Sequence, residues 1–348
     1  MRAHRHRRLH RGRTAVATAG LLAAALVVTA CGIGERPESG SATGKPTVVA
    51  STSVWGSVAR AVGGDSIDVE AIIDNAEADP HSYESTPRDA VKVDNADLVV
   101  FNGGGFDPFI RQILSAGGGD QPVVEAFRIA GEHERHPGEP PSGGDHHHPD
   151  HGHHSAGNEH VWYDLPTVGD VADRIADELT RLQPDKRHVF LQAAAEFNTE
   201  LRHLEERLAR IAANHRGEKV IATAPVADLL IERAGLNDIT PRPFVQAVES
   251  GNAPAAASIA RLQDLVDARQ PSVVIHNPQT ASPLTEWLRT RAQRNGIPVI
   301  TMTGMLPANR TYSEWMRAQI SDLETALDSN PRGGSRRRAD TDRTTDPP

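Results

Sequence analysis

Beginning at Thr47, short β-branched runs alternate with segments whose apolar positions recur at helical spacing. Residues 47–52 read as a strand and 54–62 as a helix; 69–73 and 87–96 repeat the pair; 98–102 and 108–116 repeat it again; and 123–127 reads as a further strand. A second series of such segments occupies 220–223, 226–234, 255–268, 273–276, 283–295, 298–302 and 312–329. Short strands separated by helix-length stretches imply parallel βαβ units. The predicted fold class is therefore α/β, with two βα lobes built on parallel sheets.

Between the two series lies residues 185–214, where Phe190, Ala194, Phe197, Leu201, Leu204, Leu208 and Ile211 recur at steps of four and three. That spacing puts one apolar stripe on one face of a helix. Pro184 suits a first helical turn, Glu206 and Arg210 form an i,i+4 pair, and Gly217 follows the end. About thirty residues make a rod of roughly 45 Å joining the lobes. A coiled-coil dimer is the competing use of the stripe, but α/β lobes on both flanks favour packing within a monomer. One connector helix restricts hinge motion, and ligands of open α/β sheets lie outside the carboxyl ends of the strands, so the ligand cleft is expected between the lobes.

The two ends read differently from the body. The first thirteen residues carry six arginines and no acid, and 14–30 is an uncharged run rich in Ala, Val and Leu, the pattern of a secretory signal. It ends at Val28-Thr29-Ala30-Cys31-Gly32, which resembles a bacterial lipobox, so Cys31, the only cysteine of the chain, is the expected lipidation point. The expected organisation is a lipoprotein signal peptide over 1–31, a flexible tether over 32–45, an N-terminal lobe over 46–183, the connector helix over 184–216, a C-terminal lobe over 217–329 and a disordered tail over 330–348. The product is then held on the outer face of the cytoplasmic membrane by its lipid. One cysteine excludes an intramolecular disulfide and a cysteine-rich zinc module. A formal net charge of −9 argues against nucleic acid as partner.

The chemistry is in the histidines. Nine of the seventeen fall between His133 and His160. His146, His147, His148, His151, His153 and His154 sit in a loop spanning about 132–158 that contains almost nothing able to pack in a core, and neutral imidazole is a good ligand for zinc, copper and nickel. Without fixed geometry such a loop gathers metal weakly. Better ordered candidates are His81, in the turn-like segment after the second strand, and His160, where the loop gives way to a hydrophobic helix start at Val161-Trp162-Tyr163-Asp164. His276 ends a predicted strand and is a further candidate ligand, with packing or hydrogen bonding as its alternative role. Glu77, Asp79 and Glu159 are candidates to orient imidazoles from behind as acceptors, with shaping the turn before Pro80 as the alternative role of Asp79.

Asp79-Pro80-His81-Ser82-Tyr83-Glu84 with Thr86-Pro87, then Ala96-Asp97-Leu98-Val99-Val100-Phe101-Asn102-Gly103, the His-rich loop, His160-Val161-Trp162 and Asn277-Pro278-Gln279 resemble the zinc- and manganese-binding solute receptors of ABC importers. The likeness covers roughly residues 46–327. It implies that His81 and His160 bind the metal from the N-terminal lobe, that zinc is the first candidate and manganese the second, and that an ABC permease with its ATPase is the partner. The C-terminal lobe departs from the family pattern. Ala224 stands where the family has a third ligand, His or Glu, and no carboxylate remains near Met302-Thr303-Gly304, where the last acidic ligand falls. A metal buffer, chaperone or surface-interaction protein with a degenerate cleft is the alternative these gaps leave open. An enzyme is disfavoured, because the chain has no His-Glu-x-x-His, Gly-x-Ser-x-Gly or phosphate-loop motif, and Gly103-Gly104-Gly105 reads as a tight turn. Ordinary histidines predict that affinity falls below about pH 6.5.

Overall fold

The computed structural model describes residues 44–117, 119–133 and 157–329. Cys31, the signal and tether, the tail, and His146, His147, His148, His151, His153 and His154 lie outside the described residues. In chain order the N-terminal elements are β1 (Thr47–Thr52), α1 (Ser53–Gly63), β2 (Asp68–Ile73), α2 (Pro87–Asp94), β3 (Leu98–Phe101), α3 (Pro108–Gly117), β4 (Val123–Glu125), α4 (Ala126–His133) and α5 (Leu165–Leu182). Then come α6 (Arg187–His215), β5 (Lys219–Ala222), α7 (Asp228–Arg233), β6 (Asn237–Asp238), α8 (Arg242–Glu249), α9 (Ala256–Asp267), β7 (Val273–His276), α10 (Pro283–Arg294), β8 (Val299–Thr301) and α11 (Tyr312–Asp328).

Both sheets are parallel, and both have the same order, β2-β1-β3-β4 and β6-β5-β7-β8. Strand order reverses between β1 and β3 in one lobe and between β5 and β7 in the other, so each sheet opens a crevice at the carboxyl ends of its strands. Residues of β1 and β3 are buried throughout or nearly so, as strands covered on both faces by crossover helices must be.

Helix starts follow from local chemistry. Thr86, Ser282 and Thr311 each cap a helix with a reciprocal capping box, which satisfies orphan backbone donors of the first turn. Asp164 caps α5 through Thr167 N at 3.3 Å and Thr167 Oγ1 at 2.6 Å.

The stripe Phe190, Ala194, Phe197, Leu201, Leu204, Leu208 and Ile211 is buried along α6. The helix is not a lone rod. It packs along α5 and against α1 and α11. The hydrophobic helix start expected after His160 is α5, to which the sequence reading assigns no extent; its Val168, Val171, Ala172, Ile175 and Leu179 line one face and are all fully buried. One apolar cluster therefore runs from the N-terminal sheet through α5 and α6 into α11 and the inner face of the second sheet, while a smaller one, with Ile221, Phe244, Leu262 and Val274, covers the other face of that sheet.

Polar contacts also cross between the lobes. Tyr312 Oη donates to Trp162 O at 2.6 Å, Tyr163 Oη donates to Gln319 Oε1 at 2.6 Å and lies 2.8 Å from Thr303 O, and Gln279 Nε2 donates to Ala76 O at 2.9 Å. A shared core with these bridges resists the wide hinge opening of receptors joined by flexible strands.

Candidate metal centre

Two local motifs of the same geometry build the site. At the end of the segment after β2, Asp79 Oδ1 accepts from His81 N at 3.1 Å and from His81 Nδ1 at 3.0 Å. At the end of the loop before α5, Asn158 Oδ1 accepts from His160 N at 2.9 Å and from His160 Nδ1 at 2.8 Å. An Asx residue two positions before a histidine thus holds both its backbone and its ring. Since Asn158 Oδ1 also takes a backbone N–H, it must be the oxygen, and the ring nitrogen facing it carries the proton. Nδ1 being the donor in both rings, each Nε2 points away from its Asx partner, available as a ligand once unprotonated.

The two rings converge, with centroids 6.4 Å apart. Donor atoms of His81, Glu159 and His160 all lie within 4.8 Å of one another. Glu159 Oε1 is 2.6 Å from His81 Nε2, so its carboxylate sits on the ligand side of the imidazole. This corrects the expectation that Glu159 orients a ring from behind; Asp79 does that for His81. Glu77 is engaged through its backbone N–H with Asn75 Oδ1 at 3.0 Å.

His160 is buried and packs edge-on against Trp162 and Phe106, with centroids 5.2 and 5.9 Å away. Phe106 also meets His81 edge-on at 5.1 Å. Behind them the β3 loop is fixed by buried Asp107, which accepts from Asn102 N at 2.7 Å and Gly103 N at 2.8 Å. Asn102 Nδ2 in turn donates to Glu159 O at 2.7 Å. The glycine run closes tightly here, for a Cβ on Gly105, whose φ is +108°, would stand 3.0 Å from Glu159 Oε2.

The two imidazoles differ in charge. Burial opposes protonation of His81, but hydrogen bonds and charge from Glu159 and then Asp79 override it and raise its pKa to about 9. For His160, burial and then the charge on His81 depress the pKa to about 3. At neutral pH the site holds an imidazolium paired with carboxylates beside a neutral imidazole.

From the C-terminal lobe the cleft is walled by Ala224, Pro225, Gln279 and Gly304, enclosing a cavity of about 690 Å³ with His81, His160 and Phe106. Asn277 Oδ1 accepts from Gln279 N at 3.0 Å, the same turn as at Asp79-Pro80-His81, with glutamine in place of the histidine. Gln279 Oε1 accepts from Gly304 N, and a Cβ on Gly304 would stand 3.2 Å from that oxygen. The place near Gly304 where the sequence lacks a carboxylate is thus occupied by the neutral amide of Gln279, whose Nε2 donates to Ala76 O of the other lobe.

His276 is not brought to the other two histidines. It is buried at the end of β7 with Nε2 3.1 Å from Glu286 of α10 and does not line the cleft, a position that fits packing and hydrogen bonding rather than ligation. Asn158 carries no role in the sequence reading, although Asx-x-His at both positions was a legible signal.

Substituting Asn158 with alanine is expected to weaken zinc binding by about 10- to 100-fold, the usual cost of removing a partner that orients a ligating imidazole. Chelator-competition titration measures it.

Two parallel α/β lobes stacked on one spanning helix, with a cleft at their strand ends, are the fold of the metal-binding solute-receptor class. The chain belongs to the family of zinc-uptake complex component A, periplasmic (ZnuA), whose model matches residues 48–326. It is 24% identical over 233 residues to zinc-binding lipoprotein AdcA of Streptococcus pneumoniae, covering 67% of this chain and 45% of AdcA, so it spans about half the length of that relative. It is 23% identical to the high-affinity zinc uptake system protein ZnuA of Bacillus subtilis, covering 87% of this chain and 94% of that one. The periplasmic zinc-binding protein TroA from Treponema pallidum shares the fold, with a TM-score of 0.63 at 19% identity over 82% of this chain and 99% of TroA.

Proposed function

We propose that this protein captures a divalent metal ion outside the cytoplasm, zinc first and manganese second, and delivers it to an ABC permease driven by its ATPase. The observation that carries the reading is the convergence of the His81, Glu159 and His160 donor atoms within 4.8 Å at the mouth of an interlobe cleft. Relatives named for zinc and for manganese binding support that metal choice. The cleft cluster also favours capture over the buffering alternative, because it combines ordered imidazoles with a carboxylate independently of the His-rich loop.

In this reading the ion displaces the proton on His81 Nε2, takes Glu159 from its pairing with that ring, and meets the unprotonated Nε2 of His160. The protein acts as a monomer, is anchored through lipid on Cys31, and performs binding and release without catalysis. The loop histidines raise the local metal concentration. Among the described residues no helix is long and apolar enough to cross a membrane.

The test is zinc titration against a competing chelator, with the intact chain and with residues 134–156 deleted. One tight equivalent retained after deletion is the expected result. Loss of all tight binding on deletion would sink the cleft reading and favour a loop buffer.

A further inference from the structure

The three clustered donor groups all belong to the N-terminal lobe. Zinc ordinarily takes four ligands, and an ion held by one lobe alone would not draw the second lobe onto it. The C-terminal wall offers few donors. Ala224 and Gly304 have none, and Gln279 is engaged with Ala76 O and Gly304 N.

Glu249, the last residue of α8, is different. Of the C-terminal-lobe residues lining the cavity with His81 and His160, it is the one that carries a charge. It also lines the adjoining cavity of about 720 Å³, which Asn158 and Glu159 reach from the other lobe. Its carboxyl is pushed up by burial and by the charge of Glu159 and drawn down by that of His81, so it lies within the electrostatic reach of both. The backbone beneath it is fixed by a helix stop in which Gly251 N donates to Val248 O at 3.1 Å and Asn252 N to Ala247 O at 2.7 Å, with Gly251 at φ +66°. An anchored Cα thus carries a flexible carboxylate at the meeting point of the two cavities.

We propose that Glu249 is the metal ligand of the C-terminal lobe, completing a set of His81, His160 and Glu159 around the captured cation. The assignment rests on the capture reading above. It gives two imidazoles and two carboxylates, a donor set that suits four-coordinate zinc and is oxygen-rich enough to admit manganese. It also places the interlobe ligand on a helix end rather than at the strand ends occupied by Ala224 and Gly304, so that a small shift of α8 makes or breaks the closed site.

The experiment uses the full chain, with zinc affinity read by chelator competition and cobalt(II) as a spectroscopic probe of coordination. Glu249→Gln is compared with Glu232→Gln, which removes a carboxylate lining only the adjoining cavity. The expected result is an intense four-coordinate cobalt band in the unsubstituted protein and in Glu232→Gln. Glu249→Gln should lose that band and bind zinc about a hundredfold more weakly. An unchanged spectrum and affinity in Glu249→Gln overturn the assignment. So does an equal loss of affinity in both variants without spectral change, which marks a general charge effect. Absence of any tight zinc or cobalt in the unsubstituted chain overturns the capture reading itself and this assignment with it.

Discussion

Replacing either His81 or His160 with alanine is expected to weaken zinc binding by about a hundred- to a thousandfold. Structural zinc sites release roughly 10–16 kcal/mol through about four ligands. One imidazole then accounts for about 2.5–4 kcal/mol, and every 1.4 kcal/mol is tenfold in affinity. The two substitutions should differ in their side effects. His81 lies at the cleft mouth, so its loss opens no core cavity and costs stability only through its pairing with Glu159 and Asp79. His160 is buried between Phe106 and Trp162, and its removal leaves a cavity that costs stability as well. Zinc competition together with urea unfolding separates these contributions. Near-wild-type affinity in His81→Ala would remove that residue from the ligand set, whatever the loop contributes.

Zinc affinity is expected to fall about tenfold for each pH unit below about 9, giving roughly a hundredfold loss between pH 8 and pH 6. The sign follows from the form that binds. Metal takes the neutral imidazole, and His81 without metal is protonated below about 9 because Glu159 and Asp79 outweigh the penalty of burial. Each binding event at neutral pH therefore expels one proton. His160, with its pKa held near 3 by burial and by the charge of His81, has none to give. The slope of log affinity against pH should be near one. Calorimetry in buffers of different ionisation enthalpy, together with competition across the range, measures both proton release and slope. A slope near two would mean that both rings are protonated; a flat profile down to about pH 6.5 would return His81 to an ordinary histidine. The structure thus moves the onset of pH dependence upward from the value expected of unperturbed imidazoles, and the cause is the placement of Glu159 on the ligand side of His81.

That placement marks the division between what was readable from the chain and what was not. β1, at Thr47–Thr52, and β7, at Val273–His276, are read directly because β-branched runs bounded by turn residues have few alternatives. The buried stripe of α6 is read because its apolar spacing is regular over many turns. Only the start of α5 is read, although its stripe is as regular, because it follows the histidine-rich segment with a Pro, a Gly and two Thr in its sequence. α8 escapes the reading because its two flanks are short and polar, and with it goes Glu249, which reaches the cleft only through the path of the chain between β6 and α9.

Local chemistry carries as far as the paired Asx-x-His turns, since a side chain two residues before a histidine can hold its ring without help from the rest of the fold. Alternation of strand and helix, the two parallel sheets and the candidacy of His81 and His160 all follow from such short-range rules of backbone geometry and side-chain type. Whether separate turns share one ion-sized space is a long-range matter. Residues 81 and 159 meet because β2 and the segment before α5 end at the same crevice, and His276 is kept away because the α10 side of β7 offers it Glu286 instead. Charge follows position: the same imidazole chemistry yields a pKa of about 9 beside two carboxylates and about 3 inside an aromatic wall, and only the packed structure assigns each ring to its surroundings.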